Sequence, residues 1–504
     1  MKTIQLYKSM LLIAMVFIAG SCTNFEDLAD DPNKATSVPP SMLLTEVLRV
    51  MNNIDDEGPW SGAQRDNQFW AISFDYYGEQ DYNWGSQSLR YFRYTTLSNV
   101  NAMEKEVAKL DTKNKYGALA KFFKAYFLDY MSKRMGDIPM SEALKANSSD
   151  AITKPKYDTQ KEVYIEVLKL LNEANDQIEM AKAEVGTGAV QGDFLFNGDL
   201  NKWQKAINAF HLRVLISLSK KTAEINVAAQ LKQMIENPSK YPLMTGISDN
   251  MTRYFSDENG NNYKLNPGNY GFNRNRNIMA GTYLNILKQN DDPRIYKVAD
   301  PATFYFIAND PLNKSAYVAA NTGDEQGSMQ VASDQGKLSY PNEKRYYSSY
   351  VGEGYILLGY AEQQFIIAEA INRGWITGDA AAFYNQGIKA SMDFYAVSTA
   401  DIATFLANAN VVYKGNNANG LEQILTQKYV AFFQNSERES YFNYRRTGIP
   451  AFNVGPANKN GGKIPMRWKY PQGEFENNAE NVNAALKSQF GGTDDINALM
   501  WLIK

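Results

Sequence analysis

The chain has 504 residues, of which 44% are hydrophobic and 13% aromatic, enough for a sizeable core and too apolar for a disordered polymer. Its 52 basic and 55 acidic residues nearly balance at a formal charge of −3, which leaves no electrostatic footprint for nucleic acid. A lone cysteine, Cys22, rules out internal disulfides, and a lone histidine, His211, rules out His-rich zinc sites.

In chain order, Lys2 and Lys8 precede an uncharged apolar run, Met10 to Gly20, that ends in Ala19-Gly20-Ser21-Cys22. This is the pattern of an export signal, and so short a run does not span a hydrocarbon core of ~30 Å. Cys22 stands where cleavage by a lipoprotein signal peptidase leaves a new N-terminal residue for lipidation. Residues 1–21 are therefore predicted to be a signal peptide and 22–40 a lipidated tether. Acyl chains such as palmitate, at about 0.8 kcal/mol per buried CH₂, would hold the protein on a membrane without a spanning helix. Loss of residues 1–21 removes Lys2 and Lys8 and no acid, leaving 50 basic against 55 acidic residues, a charge of −5. Asn24-Phe25-Glu26-Asp27 to Asp30-Asp31 reads as a surface-export tether or as an ordinary solvated linker.

From Ser41 the apolar positions Leu43, Leu44, Val47, Leu48 and Met51 recur at helical spacing behind Pro39-Pro40, so a single domain is expected over 41–504. Residues 54–93 lose that period and are expected to form long surface loops with one short helix. Their rings Trp60, Trp70, Tyr76, Tyr77, Tyr82, Trp84 and Tyr91 alternate with Arg65, Asp66, Asn67, Gln68, Asp75, Asp81 and Asn83. Flat rings suit the C–H faces of sugars, and amide, carboxylate and guanidinium groups suit their hydroxyl edges. The same rings could instead fill a core beneath the loops.

Apolar stripes over 96–134 predict two antiparallel helices. Others are expected at 158–183, 199–220, 225–236, 279–288, 356–374, 379–396, 401–408 and 419–435, with loops and short strands, such as Ala316–Ala319, over 240–278 and 300–354. Ile367, Ala368, Ile371, Ala380, Tyr384 and Gly387 fall at the apolar and small positions of a tetratricopeptide unit, whereas Gln364 departs from it. A second set of aromatic and polar residues comprises Tyr270, Phe272, Asn273, Arg274, Tyr346, Tyr347 and Tyr350.

Several segments in fixed order, among them Asp31-Pro32-Asn33, Gly136-Asp137-Ile138-Pro139, Leu212-Arg213, Asp292-Pro293-Arg294, Ala368-Glu369-Ala370, Gln427-Lys428-Tyr429, Arg445-Arg446-Thr447-Gly448 and Tyr470-Pro471, carry a family resemblance. The chain resembles the SusD/RagB-like outer-membrane nutrient-binding lipoproteins, in the branch described as starch-binding associating with the outer membrane. The resemblance implies a mainly α fold: tetratricopeptide-type helical hairpins packed against a loop-rich ligand-binding half with few short strands. It also implies a non-catalytic, lipid-anchored protein of the cell surface, without cofactor, which passes an oligosaccharide, a polysaccharide or sometimes a peptide to a SusC-like TonB-dependent transporter. No motif of the family fixes the ligand residues. On chemistry alone the candidates are Arg65, Trp70, Tyr76, Asp81, Tyr82, Trp84, Arg274 and Tyr346.

Catalysis has weaker support. Carboxylate pairs such as Asp291/Asp292 and Glu437/Glu439 could serve a glycosidase, but pairs arise by chance among so many acids. No phosphate-binding glycine loop occurs. Asp257-Glu258-Asn259-Gly260-Asn261 offers oxygen ligands without the spacing of a calcium loop, and His211 reads as a packed helix residue.

Overall fold

A computed structural model describes residues 37–52, 56–74, 80–85, 92–110, 114–149, 151–184, 186 and 188–504; Cys22, Tyr76 and everything before Ser37 lie outside them. The expected stripes form α1 (Pro40–Asn52), α2 (Tyr94–Val107), α3 (Asn114–Met135), α4 (Gln160–Ala183) and α5 (Leu200–Ser217). They continue, after a long excursion, as α6 (Tyr360–Asn372), α7 (Ala380–Phe394) and α8 (Ala418–Ala431). Each of α1 to α5 packs on the next, α5 meets α6, and α6 holds both α7 and α8, giving a row of helical hairpins. Because α3 is sandwiched between α2 and α4, it buries Phe122, Phe123, Tyr126, Phe127 and Tyr130 around much of its circumference.

Local chemistry sets the ends of these helices. Thr159 and Glu162 form a reciprocal capping box at the start of α4, satisfying amides that have no partner within the helix. Gly136 ends α3 at φ +102°, a conformation open to glycine, and its amide returns to the Ser132 carbonyl at 2.9 Å. Within the α6/α7 hairpin, a Cβ on Gly387 would lie 2.8 Å from the Phe365 ring, so the small residue at this repeat position permits the helices to approach.

The family motifs mostly fasten these hairpins together. The Arg213 guanidinium forks onto Glu362 at 2.8 and 2.5 Å, and Arg446 onto Glu369 at 2.5 and 3.0 Å. Arg294 holds Asp292 and also reaches Ser391 and Gln427. Glu439 pairs with Lys133 at 3.0 Å rather than with the neighbouring arginines; Arg445 instead donates to the carbonyls of Met466 and Lys133. All of these charges are buried, and removal of either partner strands the other.

The long excursion forms the second half of the molecule. Two short antiparallel ribbons organise it: β1 (Trp70–Ile72) with β3 (Asn277–Met279), and β2 (Met251–Arg253) with β4 (Tyr355–Leu358). The expected helix at 356–374 starts only at Tyr360 because β4 occupies its first positions. The expected strand at Ala316–Ala319 is absent as a ladder: the Val318 amide donates to the Ser339 hydroxyl, and only Ala320 bridges, to Ala280. The main apolar cluster runs from Leu44 to Ile503, while a small second one, Ala71, Ile278, Ala320, Met329 and Leu338, lies under the β1/β3 ribbon.

Candidate functional site

Residues 60–72 are not the surface loop the sequence suggested. Trp60, Gln64, Asn67, Gln68, Phe69 and Trp70 are all buried, and the segment threads between the two halves of the molecule. Trp60 packs edge-on against Trp70, Tyr346 and Phe433. The segment contains the short helix Gly62–Asp66 and β1, and the side-chain amides between them satisfy buried backbone carbonyls of other segments. Asn67 donates to the Glu437 carbonyl at 2.7 Å and Gln68 to the Asn453 carbonyl at 2.7 Å.

This placement changes the reading of the candidate residues. Trp70 is 5% exposed, its indole N–H tied to the Ser61 carbonyl and its ring beside the Arg65 guanidinium. Tyr82 accepts from Gln68 at 2.6 Å and donates to Asn453, and Tyr346 is fully buried against Trp60 and Tyr263. Trp84 stacks on Trp468 at 4.5 Å, and Asp81 pairs with Lys459 at 2.9 Å. Trp70, Tyr82 and Tyr346 thus build the interior, Asp81 is buried beneath an exposed lysine, and Arg65 and Trp84 are half-buried, whereas Arg274 stands exposed at the mouth of a cleft. Tyr76, Tyr77 and Tyr91 lie outside the described residues.

The cleft forms where the two regions singled out in the sequence meet. β1 runs into Ser73, whose amide donates to the Arg276 carbonyl at 3.0 Å, so the end of β1 lies beside the turn preceding β3. That turn contains the one-turn helix Tyr270–Asn273. Opposite it lie Asp300, next to the single bridge of Ala299 with Pro341, the helix Gln326–Asp334 and the one-turn helix Glu343–Tyr346. A cavity of about 450 Å³ opens between them, and a hollow of about 530 Å³ adjoins it across Tyr270, Asp300, Glu343 and Tyr347.

Tyr270 and Tyr347 meet edge to face at 5.1 Å, and the Tyr270 hydroxyl bonds to the Glu343 carboxylate. Burial, followed by that carboxylate, pushes the Tyr270 phenol up to about 12, so it remains a neutral donor. Asp300 accepts from the Asn342 amide at 2.9 Å and the Glu343 backbone N–H at 2.8 Å, and burial raises its pKa. The Arg274 guanidinium lies 5.5 Å from the Tyr270 ring. On the adjoining surface the Arg276 guanidinium lies 3.7 Å from the Phe272 ring and 4.8 Å from that of Phe74, and both rings are exposed. The sequence reading passed over Phe74, Arg276, Asp300 and Asp334; the Phe-Asn-Arg-Asn-Arg run at 272–276 was the available signal for Arg276.

The arrangement combines neutral hydroxyl donors, anionic acceptors and guanidinium groups with ring faces open to solvent. Such a combination has the groups that a polar ligand with apolar faces requires. Among the described residues, no group of three or more His, Cys, Asp or Glu side chains could hold a metal ion.

The fold and this cleft define a helical-repeat binding protein. The sequence profile described as "Starch-binding associating with outer membrane" matches residues 32–471. The chain belongs to this SusD-like family of outer-membrane nutrient-binding proteins. It is similar to a SusD homolog from Bacteroides fragilis, with 32% identity over 93% of this chain and 100% of the other and a TM-score of 0.83. It is similar also to an outer-membrane protein from Bacteroides vulgatus whose description connects it with nutrient binding (31% identity, 93% and 100% coverage, TM-score 0.80). A chitin-binding SusD homolog from Flavobacterium johnsoniae shares the fold at 21% identity, with coverage of 92% and 98% and a TM-score of 0.73. Among curated proteins, none matches the chain.

Proposed function

We propose that the chain is a surface-exposed lipoprotein that captures an oligosaccharide or polysaccharide in the cleft beside Tyr270 and delivers it, uncleaved, to a SusC-like TonB-dependent transporter. Residues 1–21 would be removed, Cys22 lipidated, and residues 22–40 would tether a single domain over 41–504. The observation that carries the reading is the cleft itself, where the half-buried Tyr270 stands among Arg274, Asp300 and Glu343 and the cleft leads onto the exposed Phe272/Arg276/Phe74 surface. The chitin-binding relative supports a glycan as the ligand class.

The cleft's charges give a peptide ligand some claim, and its exposed rings favour the glycan. A glycosidase needs two carboxylates opposed across the ligand, whereas Asp300 and Glu343 lie side by side, Asp300 accepting from the Glu343 backbone N–H. Affinity-gel electrophoresis against starch, soluble chitin and plant polysaccharides tests the reading. At least one polysaccharide should retard the protein, and Tyr270→Ala and Arg276→Ala should each reduce the retardation. Unchanged retardation in both variants would move the site elsewhere, and binding confined to peptides would replace the ligand class.

A further inference from the structure

Next to the cleft, four consecutive side chains are exposed although all are apolar or aromatic: Phe304 at 62%, Tyr305 at 40%, Phe306 at 46% and Ile307 at 50%. A contiguous exposed patch of this kind marks an interaction surface, because folding gains little from leaving such groups in water. The loop that carries them is well held at its base. The Ala302 amide donates to the Ala316 carbonyl at 2.7 Å, the Phe304 amide to the Gly336 carbonyl at 2.9 Å, and the Tyr296 hydroxyl to the Leu312 carbonyl at 2.9 Å. The rings are therefore presented by a fixed backbone.

Position decides what they present to. Thr303 and Gly336 are part of the cleft wall, Phe304 directly follows Thr303, and its amide is bonded to Gly336. A ligand leaving the cleft over this edge passes onto the aromatic loop. Phe304 and Tyr305 stand edge to face at 5.0 Å, and the Lys337 ammonium lies 5.1 Å from the Phe304 ring. Ring faces with a cationic donor beside them repeat, outside the cleft, the chemistry found within it.

Resting on the capture reading above, we infer that the Phe304–Ile307 loop is an additional binding surface for the same glycan, holding the part of a long chain that extends beyond the cleft. The ligand is then a polymer or long oligomer, and affinity rises with chain length. The occupant is the protruding glycan rather than a protein partner because the loop is continuous with the cleft wall.

Titration calorimetry of the full chain in detergent micelles, with chitobiose against chitohexaose and maltose against maltoheptaose, tests this. The Phe304→Ala/Phe306→Ala double variant should bind the longer member of the recognised series about tenfold more weakly, with affinity for the shorter member unchanged. Phe304→Trp, which keeps a flat ring, should retain the length dependence. Should the double variant melt lower than the parent, Ile307→Ser alone carries the same expectation of selective loss. Equal affinity of variant and parent for the longer member would overturn the inference and leave the capture reading intact, as expected if the loop instead meets a protein. Failure of the parent chain to bind either series would count against both.

Discussion

Trp70 and Phe272 show how differently two rings of one protein can be employed. Trp70→Ala empties a core site and should destabilise the fold by about 3–5 kcal/mol in denaturant titration, whereas Phe272→Ala, at an exposed ring, should leave the midpoint unchanged and weaken glycan binding. His211 makes a second case. It is 1% exposed on α5 with neither ring nitrogen partnered among the described residues, and burial alone pushes its pKa down to about 3. The imidazole is thus neutral when folded. A depressed folded pKa means that its contribution is intact above the ordinary value of 6.5 and is lost as pH falls from 6.5 towards about 3. His211→Leu should flatten the acid limb of a stability-against-pH curve and, by removing unsatisfied buried nitrogens, raise stability at neutral pH by about 1–3 kcal/mol. Asp137 has the opposite sign: burial pushes it up to about 7 against the Gln160 amide it accepts from, so its contribution is full below the ordinary 3.8 and fades as pH rises to about 7. Asp137→Asn should remove that decline in melts at a series of pH values. At this scale the sequence showed which chemistry was present but not its direction. Rings interleaved with Asn and Gln describe a sugar cleft and equally a buried segment whose amides satisfy stray backbone groups of its neighbours, and only the fold separates residues 60–72 from 270–276.

Among the elements, α1 to α8 follow from periodicity because a helix packed on one stripe repeats its apolar residues every three to four positions. Short strands were expected over 240–278, where β2 lies, but their positions and pairing did not show, since strands of three or four residues offer too few alternations, and Tyr355–Leu358 is apolar enough to read as the start of α6. The helix Glu439–Thr447 was hidden differently: its buried face includes Glu439, Arg445 and Arg446, so a hydrophobic pattern cannot reveal it. The tetratricopeptide match, by contrast, has a physical basis in Gly387. Gly387→Val should place its branched side chain against Phe365 and cost about 1–3 kcal/mol by thermal or chemical unfolding, with the binding cleft unaffected. A loss much below that would mean that the α6/α7 hairpin relaxes freely and that its close approach is not required.

For the whole molecule, family membership and the division into a hairpin row and a loop-rich half were already marked by the ordered motifs, because those motifs are the buried ion pairs and helix ends that fasten the hairpins. The position of the cleft was not, since it depends on β1 bringing the early segment beside the turn at 270–276. The proposed anchor gives a prediction at the same scale: Cys22→Ala should move the protein from the detergent phase to the aqueous phase on partitioning, and a variant that stayed with detergent would contradict lipidation there. Among the described residues, no helix is long and apolar enough to cross a membrane. The central claim, capture without cleavage, is tested most directly by calorimetric titration of the full chain with the polysaccharide that retards it, followed by chromatography of the recovered ligand. The account predicts saturable binding, lost on Tyr270→Ala, and a ligand recovered at its original length; shortened ligand, or binding indifferent to the cleft, would contradict it.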